Sequence, residues 1–249
     1  MNNLHLNKKE LIEIDFWQNS PTENPDSDSL ANIVNKMGDV EVFLECFYRV
    51  ENKFITGQLI LELGGGQGWA SCVIKRMFPT MNILTTDISQ AAVASLPKWE
   101  HIFNVEIKNP FATKSYHVPI ADNSIDTIFC FASAHHFIAH RRTLQELRRC
   151  LKQGGNAFYF YEPSTPDFWY RIAKNRVERK RPDVPEDLLR YRKIQSIAED
   201  IGLECKLDFY TSFIKRSPIE TIYYWVLGKS RLLQRILPCT INYQFTKPN

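Results

Sequence analysis

Residues 58–78, QLILELGGGQGWASCVIKRMF, decide the fold. Leu59, Ile60, Leu61 and Leu63 form a short apolar run, as in a strand buried on both faces. Gly64, Gly65, Gly66, Gln67 and Gly68 follow, and then Ala70, Val73, Ile74 and Met77 recur at helical spacing. A glycine turn between a buried strand and a helix lets backbone approach a ligand closely and aims free N–H groups at it. The dinucleotide fingerprint G-x-G-x-x-G does not fit, because its third glycine would fall on Trp69 or Ser71. The pattern is acid-x-G-x-G-x-G, carried by Glu62, Gly64, Gly66 and Gly68. A glycine turn with no ligand is the alternative. Four glycines within residues 64–68 cost backbone entropy, which argues against it.

Downstream, Asn82 to Thr86 reads as a second strand ending at Asp87. That acid lies on the order of 20 residues past the turn, where a carboxylate accepts both ribose hydroxyls in mononucleotide-type units. Asp87 as a helix cap is the rival reading, but Ser89 is placed to cap that helix itself. Phe111 and Ala112 belong to a third strand. Ile125 to Ala132 is a fourth, ending at Ser133-Ala134-His135-His136-Phe137. A helix over Arg142 to Leu151, paired Gly154-Gly155 and a fifth strand over Asn156 to Tyr161 complete the alternation. It predicts an α/β fold: a doubly wound, mostly parallel sheet with helices on both faces, ligand sitting beyond the strands' carboxyl ends.

The turn resembles the first motif of class I S-adenosylmethionine (SAM)-dependent methyltransferases, of the methyltransferase-domain 11 kind. HVPIADNSID (residues 117–126) and LRRCLKQGGNAFYFYEP (residues 147–163) resemble that family too, so its motifs cover residues 58–163. The resemblance implies a Rossmann-like, seven-stranded sheet with one antiparallel strand near the C-terminus, and SAM as cofactor. Glu62, Gly64, Gly65, Gly66, Gly68, Asp87, Ile88, Ser115 and Ala132 fall on positions implied to hold it, with Trp17 on an N-terminal segment of the kind that covers SAM in the family. His136 and His135, at the fourth strand's end, are the implied catalytic candidates. One departure stands out: Lys114 occupies a position where many relatives carry an acid for the adenine amino group, and lysine offers no acceptor. Either Lys114 points to solvent or the base is bound differently.

The flanks are read from pattern. Residues 1–57 form an N-terminal arm, with Phe16 and Trp17 as staple or lid, followed by a helix from Ser29 to about Val50 with a break at Gly38. Residues 58–249 form the catalytic domain, with a helical substrate-side insertion at about 165–201. In it, Thr165-Pro166 starts a helix, Arg171 to Arg181 is a basic run, and Pro185 opens a helix to about Ile201. The basic run is either a solvated face or a clamp for an acidic acceptor. Glu204 to Phe209 and Ile241 to Thr246 read as strands, and Tyr223, Tyr224 and Trp225 as helical core, with a substrate wall as the alternative.

Composition narrows the classes. A net charge of +3 over 249 residues gives no ground for a nucleic-acid partner. Six scattered cysteines with no C-x-x-C pair suit reduced thiols in a cytoplasmic protein. The N-terminus has no signal-peptide core and no apolar run reaches spanning length, so no membrane partner is expected. His136 and His140 lie four apart, but HFIAH lacks the glutamate of a zinc-protease motif, and no metal is expected. The expected reaction is methyl transfer to oxygen or nitrogen of a small-molecule or glycan-type acceptor. Two alternatives stay open: SAM chemistry that releases methylthioadenosine, and a non-catalytic or RNA-binding protein on the same fold.

Overall fold

A computed structural model describes residues 5–55, 57–180 and 187–249. Helices α1 (Lys8–Asn19), α2 (Leu30–Tyr48) and α3 (Glu51–Phe54) precede the first strand. Then come β1 (Leu59–Glu62), α4 (Trp69–Met77), β2 (Asn82–Asp87), α5 (Gln90–Ala94), α6 (Leu96–Phe103), β3 (Phe111–Ala112), β4 (Ile125–Phe131), α7 (His140–Cys150) and β5 (Leu151–Thr165). The chain ends with α8 (Tyr170–Lys180), β6 (Leu189–Arg190), α9 (Tyr191–Asp200), β7 (Glu204–Phe209), α10 (Pro218–Gly228), α11 (Arg231–Ile236) and β8 (Cys239–Thr246).

The main path of the sheet runs β3-β2-β1-β4-β5-β8-β7, with β6 paired to the end of β5. β8 is antiparallel to both β5 and β7, and the remaining pairings are parallel. The Rossmann-like fold and its antiparallel strand near the C-terminus are therefore as expected, with the short β6 as an addition. Strand order reverses between β1 and β4. A parallel sheet leaves a crevice at such a point, beyond the strands' carboxyl ends.

Each face of the sheet is closed by its own apolar layer. Phe43 and Phe47 of α2, Phe54 of α3, Ile74 of α4 and Trp99 of α6 pack with Ile60, Phe129 and Phe158 on one side. Leu144 and Leu147 of α7 and Ile194 and Ile197 of α9 pack with Leu61, Ile128 and Tyr159 on the other. Burying a large side chain contributes about 1.5–3 kcal/mol. That gain outweighs the poor helix propensity of the aromatics in α2.

Three expectations for local structure are corrected. α2 runs through Gly38 without a break, and a Cβ there would meet only the flexible end of Lys215. β5 extends to Thr165 because its partners continue past the expected end: Glu162, Pro163 and Ser164 pair with β8, and Ser164 and Thr165 with β6. Thr165 is thus strand rather than helix cap, and a short 3-10 turn, Asp167–Trp169, leads into α8. The helix expected from Pro185 starts only at Tyr191, since Leu189 and Arg190 are drawn into extended pairing with β5. Pro185 itself and Arg181 lie outside the described residues.

Candidate active site

The crevice beyond β1 and β4 holds a cavity of about 340 Å³. Glu62, Gly64, Gly65, Gly66, Asp87, Ile88, Ser115, Ala132, His135 and His136 line it, as does Trp17. These come from separate stretches of sequence. β1, β2 and β4 run parallel, so their last residues meet on one edge.

The glycine turn is shaped from both sides. Gly64 and Gly66 have φ of +63° and +56°, a left-handed backbone that glycine adopts without strain. A Cβ on Gly65 would stand 2.6 Å from the Glu62 carboxyl carbon, so a side chain there would displace the acid. A Cβ on Gly66 would meet nothing within 4 Å, so open space stands over that backbone. Gly68 differs: it does not line the cavity, and its Cβ would strike Leu96 at 2.5 Å, so its smallness serves the packing of α4 on α6.

Two carboxyl groups flank this open space. Asp87 Oδ2 accepts the Gly66 N–H at 2.8 Å and Oδ1 accepts the Ser89 N–H at 2.8 Å. Burial pushes its pKa up, while those N–H groups resist. Ser89 caps α5 through its hydroxyl, so Asp87 braces two loops and leaves capping to serine. Glu62 is 1 % exposed and accepts the Ser71 hydroxyl at 2.5 Å. Burial raises its pKa to about 7; the Ser71 bond opposes that and the Asp87 charge adds to it.

The histidines sit on a 3-10 turn, Ala134–His136, directly after β4. Glu162, from β5 and fully buried, holds this turn. Its carboxylate accepts the N–H groups of Ser133, Ala134 and His135 at 3.0, 2.8 and 3.1 Å. It also accepts His135 Nδ1 at 2.8 Å. With Nδ1–H donated to a carboxylate, the imidazole keeps its lone pair on Nε2. His136 packs against His135 with ring centroids 4.0 Å apart and planes tilted by 42°, and its Nδ1 stands 3.4 Å from Glu13 of α1. Trp17 meets His136 edge-on at 5.9 Å.

Helix α1 therefore forms one wall, and Lys114 is what ties it down. Its ammonium donates to Glu10 at 2.9 Å, to the Tyr116 hydroxyl at 3.0 Å and to the His5 carbonyl. The solvent-facing placement does not hold: Lys114 faces the arm. Burial works against its charge, but the bonds to Tyr116 and Glu10 keep its pKa above the ordinary lysine value. Ser115, beside it, bonds Thr143 Oγ1 at 3.0 Å and still lines the cavity.

Sequence reasoning missed Glu162, Glu10 and Glu13. Glu162 carried one readable sign, an acid directly after the five-residue apolar run of residues 157–161, which puts it at a strand's carboxyl edge. Glu10 and Glu13 carried none.

The cavity fits an adenosyl cofactor on its own terms. It offers open space over a left-handed glycine, a carboxylate on each side of that backbone and apolar walls at Ile88 and Phe131. Comparison with known proteins agrees. Residues 61–159 match the family Methyltransf_11, described as a methyltransferase domain. No curated protein sequence matches the chain. Among solved structures, geranyl diphosphate C-methyltransferase from Streptomyces coelicolor A3(2) is similar with a TM-score of 0.67 at 12% identity, over 98% of this chain and 99% of that one. Phosphoethanolamine N-methyltransferase 2 from Haemonchus contortus, in complex with SAM, gives 0.66 at 17% identity, over 94% and 60%. YcgJ from Bacillus subtilis gives 0.59 at 17%, over 86% and 99%. Residues 61–159 thus match a methyltransferase domain, and the whole chain shares its fold with solved methyltransferase structures, one of them in complex with SAM.

Proposed function

We propose that the protein transfers the methyl group of SAM to an oxygen or nitrogen of a small-molecule or glycan-type acceptor. The observation that carries this reading is a histidine held by a buried carboxylate, His135 on Glu162 at 2.8 Å, in the same cavity as the glycine turn and Asp87. Bound SAM supplies an already activated methyl group, which leaves the chain to orient the acceptor and exclude water. Orientation of that kind can supply roughly 7–11 kcal/mol of the barrier.

The residues divide the work as follows. Asp87 accepts from the ribose hydroxyls, and Ile88 lies against the adenine. Gly64, Gly65 and Gly66 pass beneath the cofactor, with Glu62 buttressing the turn from below. Ser115 and Ala132 complete the wall. Trp17 and α1 cover the opening and keep water out. His135 takes the acceptor proton on Nε2, with Glu162 favouring the imidazolium that results. His136, packed on His135, is the second candidate for that role.

A proton acceptor beside the cavity favours acceptors that must lose a proton. Fold does not decide the reaction: similar structures include one named as a C-methyltransferase and one named as a [4+2]-cyclase. The test is product analysis with SAM and panels of hydroxylated and amino acceptors. Acceptor-dependent S-adenosylhomocysteine supports the reading, and methylthioadenosine as the sole nucleoside product overturns it. If His135→Ala and His136→Ala both turn over normally, the base assignment falls.

A further inference from the structure

Helix α10, PIETIYYWVLG, is apolar on nearly every side. A helix of that kind is ordinarily enclosed. Here only Tyr224 and Leu227 are buried, and they pack with Cys239 in a small cluster of their own. Ile219 and Ile222 are 81% and 66% exposed, and Trp225 is 54% exposed where core was expected. The neighbouring α11 leaves Leu232 66% exposed. Single exposed apolar residues need no explanation, but four large ones on two adjoining helices do.

The rim of this face is basic. Lys229, Arg231 and Arg235 are exposed along the α10–α11 hairpin. Tyr191 of α9 donates its hydroxyl to the Arg235 carbonyl at 2.7 Å, which fixes the hairpin against the body. The face also has a definite place in the fold. β7 runs parallel to β5, because both are antiparallel to β8. Segments leaving β5 and β7 therefore emerge on the edge of the sheet that holds the cavity.

We infer that the α10–α11 hairpin docks on the headgroup layer of an anionic phospholipid bilayer. Apolar side chains with a tryptophan among them, ringed by arginine and lysine, are what an interfacial helix presents to such a surface. Among the described residues no helix is long and apolar enough to cross a membrane, so the contact is peripheral. The expectation of no membrane partner rested on span length and did not address a surface contact. This inference is independent of the acceptor's identity.

The experiment is vesicle co-sedimentation of the full chain, with phosphatidylcholine alone and with phosphatidylcholine plus phosphatidylglycerol. Binding to the mixed vesicles that weakens with salt is expected, with little to the neutral ones. Arg231→Gln/Arg235→Gln lowers partitioning roughly fivefold per removed charge, so about twenty-five-fold together. Ile222→Ser/Trp225→Ser lowers it at least about tenfold through lost apolar burial. Unchanged SAM affinity by calorimetry shows that the variants fold and keeps this test separate from the proposed reaction. Absence of binding to mixed vesicles overturns the inference, as does undiminished binding by the Ile222/Trp225 variant. So does a dimer in sedimentation velocity that this variant abolishes, which assigns the face to a second copy. RNA binding without vesicle binding overturns it as well.

Discussion

Replacing Asp87 by asparagine separates two roles that the carboxylate combines. Its oxygens already accept one N–H each, from Gly66 and Ser89, at 2.8 Å. Each oxygen keeps a second lone pair for a ribose hydroxyl. Asparagine retains one carbonyl and turns an NH2 group toward one of those two N–H donors. Hydrogen bonds to a charged group contribute about 1.5–3 kcal/mol net, so the dissociation constant for SAM should rise roughly 13- to 160-fold. The donor left facing a donor costs the empty protein about 1–3 kcal/mol. At this chain length that lowers Tm by roughly 2–4 °C per kcal/mol. Titration calorimetry with SAM and thermal unfolding without it read the two effects apart. A lowered Tm with SAM affinity unchanged within about twofold would refute the ribose assignment and leave Asp87 as a loop brace.

Further outcomes follow from the same geometry. Glu62 has its pKa raised to about 7 from 4.5, so the folded state binds its proton more tightly than the unfolded state. Its stabilising contribution is full below the unfolded value and is lost as pH rises to the folded one, about 3 kcal/mol in all. Glu62→Gln should flatten that part of the stability–pH curve measured by urea unfolding. Lys114→Met strands the Glu10 carboxylate and frees α1, so tryptic cleavage after Lys8 and Lys9 should accelerate roughly tenfold; an unchanged rate would show that the arm is held by other contacts. His135→Ala should lower kcat by about 100-fold or more while SAM affinity stays within about twofold. Glu162→Gln removes the carboxylate that orients His135 and should lower kcat by about tenfold or more while SAM affinity stays within about twofold.

What the sequence made legible was local. The glycine turn, Asp87 and the helix cap at Ser29 each announce themselves within a few residues, and the strands alternate with helices at readable spacing. What stayed hidden depends on distance along the chain. Glu162 acts on residues 27–32 positions away, and an acid after an apolar run says nothing of which N–H groups it will meet. Lys114 looked anomalous because its partner, Glu10, is 104 residues earlier. Trp225 was read as core because apolar pattern reports what is hydrophobic, not what covers it. The late start of α9 has the same cause: β6 exists only because β5 overruns its apolar stretch.

Strand β8 lies between β5 and β7, yet it is the last of the eight strands to be synthesised. Until residues 239–246 emerge from the ribosome, both neighbours present a bare row of amide and carbonyl groups with nothing to pair them. A nascent chain at that stage can have a formed nucleotide crevice on one half of the sheet and an open seam on the other. Completion of the sheet therefore waits for residues 239–246, and chaperone dependence and sensitivity to truncation before residue 239 should both concentrate at that seam.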